Sequence, residues 1–177
     1  MTSAATLRDL LAEGDRLFIV CHNNPDPDCL ASAFALGRIA VAAGIDEHCI
    51  LYSGDISHQQ NRAFVNLMDI DIDPFDPETV CDRAEGSLLA FVDHSVPGAN
   101  NRVPEGTPVD VVIDHHPAEG IDARFVDHRV EIGATATILA EYVQALDVEL
   151  DAALSTALMF AIRRETLGFL RGATRAE

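Results

Sequence analysis

"RLFIVCHNNPDPDCLASAFALGRIAVAAG" fills residues 16–44, and the fold turns on how it is read. Residues 16–21 are apolar, short, and partly aromatic or β-branched, as a buried strand is. His22 follows, and then Asp26 and Asp28 alternate with Pro25 and Pro27. From about Asp28 to Ala43, the residues Leu30, Ala33, Phe34, Leu36, Gly37 and Ala40 recur at helical spacing, and Gly44 supplies a stop.

The same alternation continues outward. Residues 7–14 read as a short amphipathic helix ended by Gly14, residues 48–54 as a second strand with a turn after it, and residues 57–68 as a short helix. "SLLAFVD" (87–93) and "PVDVVID" (108–114) are strands that each end in Asp, and residues 123–127 form a further strand. Two helical patterns close the chain, at about 133–146 and about 151–162. Strands alternate with helices, and the apolar runs are too continuous for a sheet with one wet face. The expected fold is therefore α/β: a mostly parallel sheet of about five strands with helices on both faces, a Rossmann-like three-layer sandwich.

"DIDIDPFDPE" (69–78) alternates carboxylates with apolar residues, but it lacks the Gly and the Glu that a calcium-binding EF-hand loop places at its sixth and twelfth positions. It reads as a solvated edge or connection.

At 177 residues the chain fits one domain. No apolar run approaches the ~18 residues of a spanning helix, and no basic leader precedes an apolar segment, so neither a membrane nor secretion is indicated. Cys21, Cys29, Cys49 and Cys81 make no paired zinc spacing and read as small buried hydrophobes in a reducing cytoplasm. Asp and Glu number 29 against 12 basic residues, all of them Arg, for a formal net charge of -17. Such a field repels nucleic acid and anionic membranes unless salt screens it. The acidic, lysine-free composition resembles that of proteins from salt-saturated cytoplasm, although a base-composition bias would leave the same mark.

In an open α/β sheet, ligands collect beyond the carboxyl ends of the strands. His22 follows one strand, Asp93 ends another, and Asp114, His115 and His116 stand at the end of a third. Across Pro27, an extended backbone makes Asp26 and Asp28 diverge, which suits two neighbouring ions, and the prolines stiffen the loop that holds both charges. Alternatively, Asp28 is the N-cap of the following helix and Asp26 a plain loop carboxylate. Imidazoles beside carboxylates suit Mn²⁺, Co²⁺, Fe²⁺ or Zn²⁺ better than an all-oxygen Mg²⁺ site. Paired divalent ions with one shared carboxylate acidify a water and offset phosphoryl charge.

With "HNNPDPDCLAS", "FVDHS" and "DHHP" in view, the chain resembles the N-terminal catalytic domain of the DHH superfamily of phosphoesterases, over about residues 15–170. The superfamily includes single-strand exonucleases, small-oligonucleotide ribonucleases, cyclic-dinucleotide phosphodiesterases, exopolyphosphatases and manganese-dependent pyrophosphatases. The resemblance implies two divalent ions, Mn²⁺ foremost, with Co²⁺, Fe²⁺ or Mg²⁺ as alternatives. His22 and Asp26 would hold the first ion, Asp28 and His115 the second, and Asp93 would bridge them. His116 would contact the scissile phosphate, and Asp114 would orient the His pair. Where the family has a further Asp, "AIRRETLGF" offers Glu165, which is either a ligand with a longer reach or a helix-surface residue paired with Arg163 or Arg164. "GATAT" (133–137) matches the start of the next helix, and His94 and His128 have no ligand role in the pattern.

Family members carry a second, C-terminal substrate-binding domain, which is expected to be absent from this chain. The implied function is hydrolysis of phosphodiester or phosphomonoester bonds in small nucleotides or short single-stranded oligonucleotides. The alternatives are an exopolyphosphatase or pyrophosphatase, and a metal-binding or regulatory domain with little activity alone. The expected partners are a phosphate-containing small molecule or short oligonucleotide, that C-terminal domain in a longer chain, and a second copy in a homodimer, with no membrane.

Overall fold

A computed structural model describes residues 3–45, 47–81 and 83–177. Among the described residues, six strands form one parallel sheet in the order β3-β2-β1-β4-β5-β6. They are β1 (Arg16–Asn23), β2 (Glu47–Ser53), β3 (Ile72–Pro74), β4 (Ser87–Val92), β5 (Val109–Asp114) and β6 (Ala123–His128). The sixth strand, beyond the five expected, is β3. It is three residues long and pairs only with β2, so the stretch 69–78 is an edge that also carries a strand. Its charged, proline-bearing sequence is of the kind that blunts a sheet edge.

Side-chain alternation explains why β1 has no polar face. Leu17, Ile19 and Cys21 enter one core while Phe18 and Val20 enter the other. The first core lies under α1 (Ser3–Leu11), α2 (Pro27–Ala43), α3 (Gln59–Met68), α5 (Thr135–Ala145) and α6 (Ala152–Glu165). The second face has a thinner cover. Val80 of the short helix α4 (Pro77–Cys81), which the sequence pattern does not reveal, packs there with Val103 from the loop after β4.

Helix α2 occupies the middle of the helical layer and is buried on nearly every side. It starts at Asp26, whose side chain accepts from the N–H groups of Asp28 and Cys29, with Pro27 in the first turn. It stops at Gly44, whose φ of 105° is open to glycine at no steric cost. The helix therefore assigns the N-cap to Asp26 and leaves Asp28 inside the first turn, contrary to the capping alternative for Asp28.

Helix α1 ends at Leu11, ahead of the anticipated Gly14. Cys21, Cys29 and Cys49 are free thiols, and the side chain of Cys81 lies outside the described ones. Among the described residues, no helix is long and apolar enough to cross a membrane. The strand order reverses direction between β1 and β4, which opens a crevice at their carboxyl ends.

Candidate metal centre

That crevice collects the titratable side chains. His22 Nε2 lies 3.5 Å from Asp93 Oδ2 and 3.9 Å from Asp26 Oδ1. His115 Nε2 lies 3.6 Å from Asp28 Oδ2 and 3.7 Å from Asp93 Oδ1. His116 Nδ1 lies 3.6 Å from the same Asp93 oxygen. Asp93 therefore stands between two groups of donors, one containing His22 and Cys29, the other His115 and His116, with ligand atoms within 4.8 Å of one another in each.

Local structure holds these groups apart from their usual partners. Asp93 has a φ of 65°, a left-handed conformation that costs a non-glycine residue about 1–3 kcal/mol. Its N–H donates to Ile113 O, its Oδ1 accepts from the Thr135 hydroxyl at 2.8 Å, and its buried Oδ2 has no hydrogen-bond partner among the described residues. His115 Nε2 is also buried without one. The His22 and His115 rings are each oriented by a contact from Nδ1, to Asn23 O at 2.9 Å and Ile132 O at 3.0 Å. Those contacts assign the Nδ1 proton and turn Nε2 toward the carboxylates, the arrangement in which an imidazole can take a cation.

Asp28 has a second task. Its two oxygens accept from the backbone N–H groups of Thr135 and Ala136, each at 2.8 Å, at the start of α5, where Ala134 has no capping side chain. Burial and the nearby Asp93 charge push the Asp28 carboxyl well above its usual range, although these two bonds pull the other way. Glu165 ends α6, half-buried, and is also raised, by burial and then by the charges of Asp26 and Asp93. Among the described residues it forms no ion pair with Arg163 or Arg164. Burial opposes a charge on His22, yet the Asp93 carboxylate 3.5 Å away prevails and lifts its pKa to about 9. Crowded carboxyl groups that raise one another while holding a proton on a neighbouring imidazole make a site that a divalent cation would relieve. The buried, unpartnered oxygen and nitrogen are the donors such an ion requires, so the residues present fit it.

Asp114 orients one member of the His pair. Its Oδ1 accepts from the His116 backbone N–H and meets His116 Nδ1, both at 3.0 Å, while Ser95 donates its hydroxyl to Oδ2. His115 is oriented by Ile132 instead, a correction to the expected joint role. Hydrogen bonding to Asp114 lifts His116 to about 9, and the same contact, with that from Ser95, outweighs burial to hold Asp114 at about 2. The His116 ring is 52% exposed, against 11% for His115, and lines an open cleft of about 350 Å³. His128 Nε2 meets His116 O at 2.6 Å.

Three contributors are not evident from sequence. Thr135 ties Asp93 to α5, Ser95 anchors Asp114, and Cys29 sits beside His22 and Asp93, its thiol 3.5 Å from Val92 O. The Thr-rich run 133–137 is the one sequence signal that marks any of them. His94, next to Asp93, is buried against Phe91.

A parallel α/β sheet with carboxylates and imidazoles gathered at its switch point defines a metal-binding class of protein. Residues 16–166 match the family described as "DHH family, N-terminal domain", and the chain belongs to that family. It is 36% identical over 165 residues to an uncharacterized protein of Methanocaldococcus jannaschii, covering 91% of this chain and 32% of the relative. It is 26% identical over 159 residues to a "Probable manganese-dependent inorganic pyrophosphatase" of Staphylococcus haemolyticus, covering 87% and 49%. An exopolyphosphatase-related protein from Bacteroides fragilis shares the fold, with a TM-score of 0.77 and 16% identity over 98% of this chain and 52% of that one. The chain thus spans about a third to a half of the length of these relatives.

Proposed function

We propose that the chain is the metal-holding half of a hydrolase that cleaves phosphoanhydride bonds, as in pyrophosphate or short polyphosphate, with Mn²⁺ as the preferred ion. The observation that carries this reading is Asp93, buried between two donor groups with an oxygen no protein group satisfies. Family membership and the similarity to a protein named as a manganese-dependent pyrophosphatase support it.

In this reading His22 and Asp26 would hold one ion, Asp28, His115 and Glu165 the other, and Asp93 would serve both. Bound there, a pair of divalent ions would acidify a water and neutralise phosphoryl charge. The chain's own groups do the rest. Thr135 and the strained backbone at Asp93 fix the shared carboxylate before any ligand arrives. His116, kept protonated by Asp114, donates to a phosphoryl oxygen as charge builds on it. A second domain, in a chain as long as the relatives, would close over the site and exclude water.

The cleft beside His116, about 350 Å³, has room for more than a diphosphate. This supports a small nucleotide or short oligonucleotide as the second reading of the substrate.

Orthophosphate release from pyrophosphate, tripolyphosphate and adenosine bisphosphate, with Mn²⁺ and after its removal by chelator, ranks the substrates. Asp93→Asn should abolish release. It should also abolish the Mn²⁺-dependent gain in thermal stability, about 2.7 kcal/mol at a hundredfold excess over Kd. An Asp93→Asn protein that keeps the full gain would refute the shared-carboxylate role.

A further inference from the structure

A second cleft, about 520 Å³, shares Asp26 with the His116 cleft. Its walls are the start of α3, including His58 and Gln60, and the carboxyl end of α6 with the turn beyond it, including Arg164 and Arg171. Asp26 and Glu165 also line it, so the cleft shares a wall with the metal centre. At ~30 Å³ per water it has room for more than ten, enough for an anion and its hydration.

Arg164 and Arg171 bring two guanidiniums to this cleft. Among the described residues Arg8, Arg16, Arg38, Arg124 and Arg129 pair with carboxylates, and Arg62 and Arg83 donate to backbone carbonyls. No carboxylate within ion-pair distance is found for Arg164 or Arg171 among the described residues, although Glu165 adjoins one of them in sequence. Two guanidiniums left without carboxylate partners in a cavity that reaches the metal ligands are placed to receive an anion, and their planar donors suit phosphoryl oxygens. Helix α3 also begins there with no side-chain cap at His58, which leaves backbone donors at the same end of the cleft.

We propose that this cleft is a subsite for a second phosphoryl group of the substrate, held by Arg164 and Arg171 while the scissile group lies at the metal centre. The proposal rests on the two-metal reading above, because Asp26 and Glu165 would repel an anion until cations neutralise them. It follows that metal binds first and the substrate second. It also follows that the preferred substrate carries two phosphoryl groups on neighbouring or near-neighbouring positions, and that a lone phosphate gains nothing from the arginines.

Calorimetry with orthophosphate and with the non-hydrolysable methylenediphosphonate tests this, in Mn²⁺ at fixed salt. The proteins compared are the wild type, the double variant Arg164→Ala/Arg171→Ala, and Asp93→Asn. Mn²⁺ affinity and thermal midpoint of the double variant, measured first, should match the wild type, since both arginines are exposed. The double variant should then bind the diphosphonate about ten- to a hundredfold more weakly, with orthophosphate changed by less than about twofold. Equal weakening of both probes, no weakening of either, or a wild type that does not discriminate between them would overturn the subsite. A separate result bears on the metal reading alone: if Asp93→Asn binds the diphosphonate as tightly as the wild type, or if chelation leaves binding unchanged, the two-metal assignment fails whatever the arginines do.

Discussion

His94 shows how one residue's surroundings become a measurable property. Its ring stacks on Phe91 with centroids 4.5 Å apart, its Nδ1 meets Val92 O at 2.9 Å, and its buried Nε2 has no partner. Burial disfavours the cation and takes the pKa from the ordinary ~6.5 down to about 4. The unfolded chain therefore takes up a proton first. Stability from this residue is complete above about pH 6.5, falls as pH drops toward about 4, and then levels, a loss of up to about 3 kcal/mol. Thermal denaturation of metal-free protein between pH 7.5 and 4.5 should show that fall, and His94→Phe, which keeps the ring on Phe91 but takes up no proton, should flatten it. An unchanged slope in the variant would assign the acid sensitivity elsewhere. The sequence places His94 beside Asp93, but its exposure is a matter of packing: Phe91 and the β4 backbone decide it, and no local pattern records them.

At the scale of elements, the join between α2 and α5 matters most. The first turn of α5 has no capping side chain of its own, and Asp28, more than a hundred residues earlier, accepts its Thr135 and Ala136 N–H groups. In chelator, Asp28→Ala should cost about 2 kcal/mol by leaving two buried donors unpaired, and Asp28→Asn, which keeps one acceptor, about half of that. Urea midpoints measure both. An alanine variant as stable as the wild type would mean that repulsion from Asp93 already cancels the two bonds. Helix and strand periodicity made nearly every element legible, because each must bury an apolar face of its own period. The elements it missed are β3 and α4, three and five residues long. They are too short to show a period, and their pairing with β2 and their packing on the second core hold them in place.

For the whole molecule, a net charge of -17 sets the terms of stability. Raising NaCl from 0.1 to 1 M shortens the screening length from ~10 to ~3 Å and weakens repulsion among the excess carboxylates. The thermal midpoint of metal-free protein should rise by at least about 3 °C, the shift that ~1 kcal/mol produces in a chain of this length. A midpoint that falls with NaCl would show that the surface ion pairs, such as Arg16 with Glu47 and Arg124 with Glu13, outweigh the repulsion.

The sequence by itself determined the α/β class, the start and stop of α2, and the set of carboxylates and imidazoles at the strand ends. Strand alternation, helix periodicity, proline and glycine act through near neighbours and so leave a trace in the order of residues. Tertiary structure alone decided that Asp28 caps α5, that Thr135 and Ser95 support the acids, and that Asp93 is left with an oxygen no described protein group satisfies. Those outcomes depend on which strand ends meet across the β1–β4 crevice, and contacts between residues 19 to 108 positions apart have no local signature.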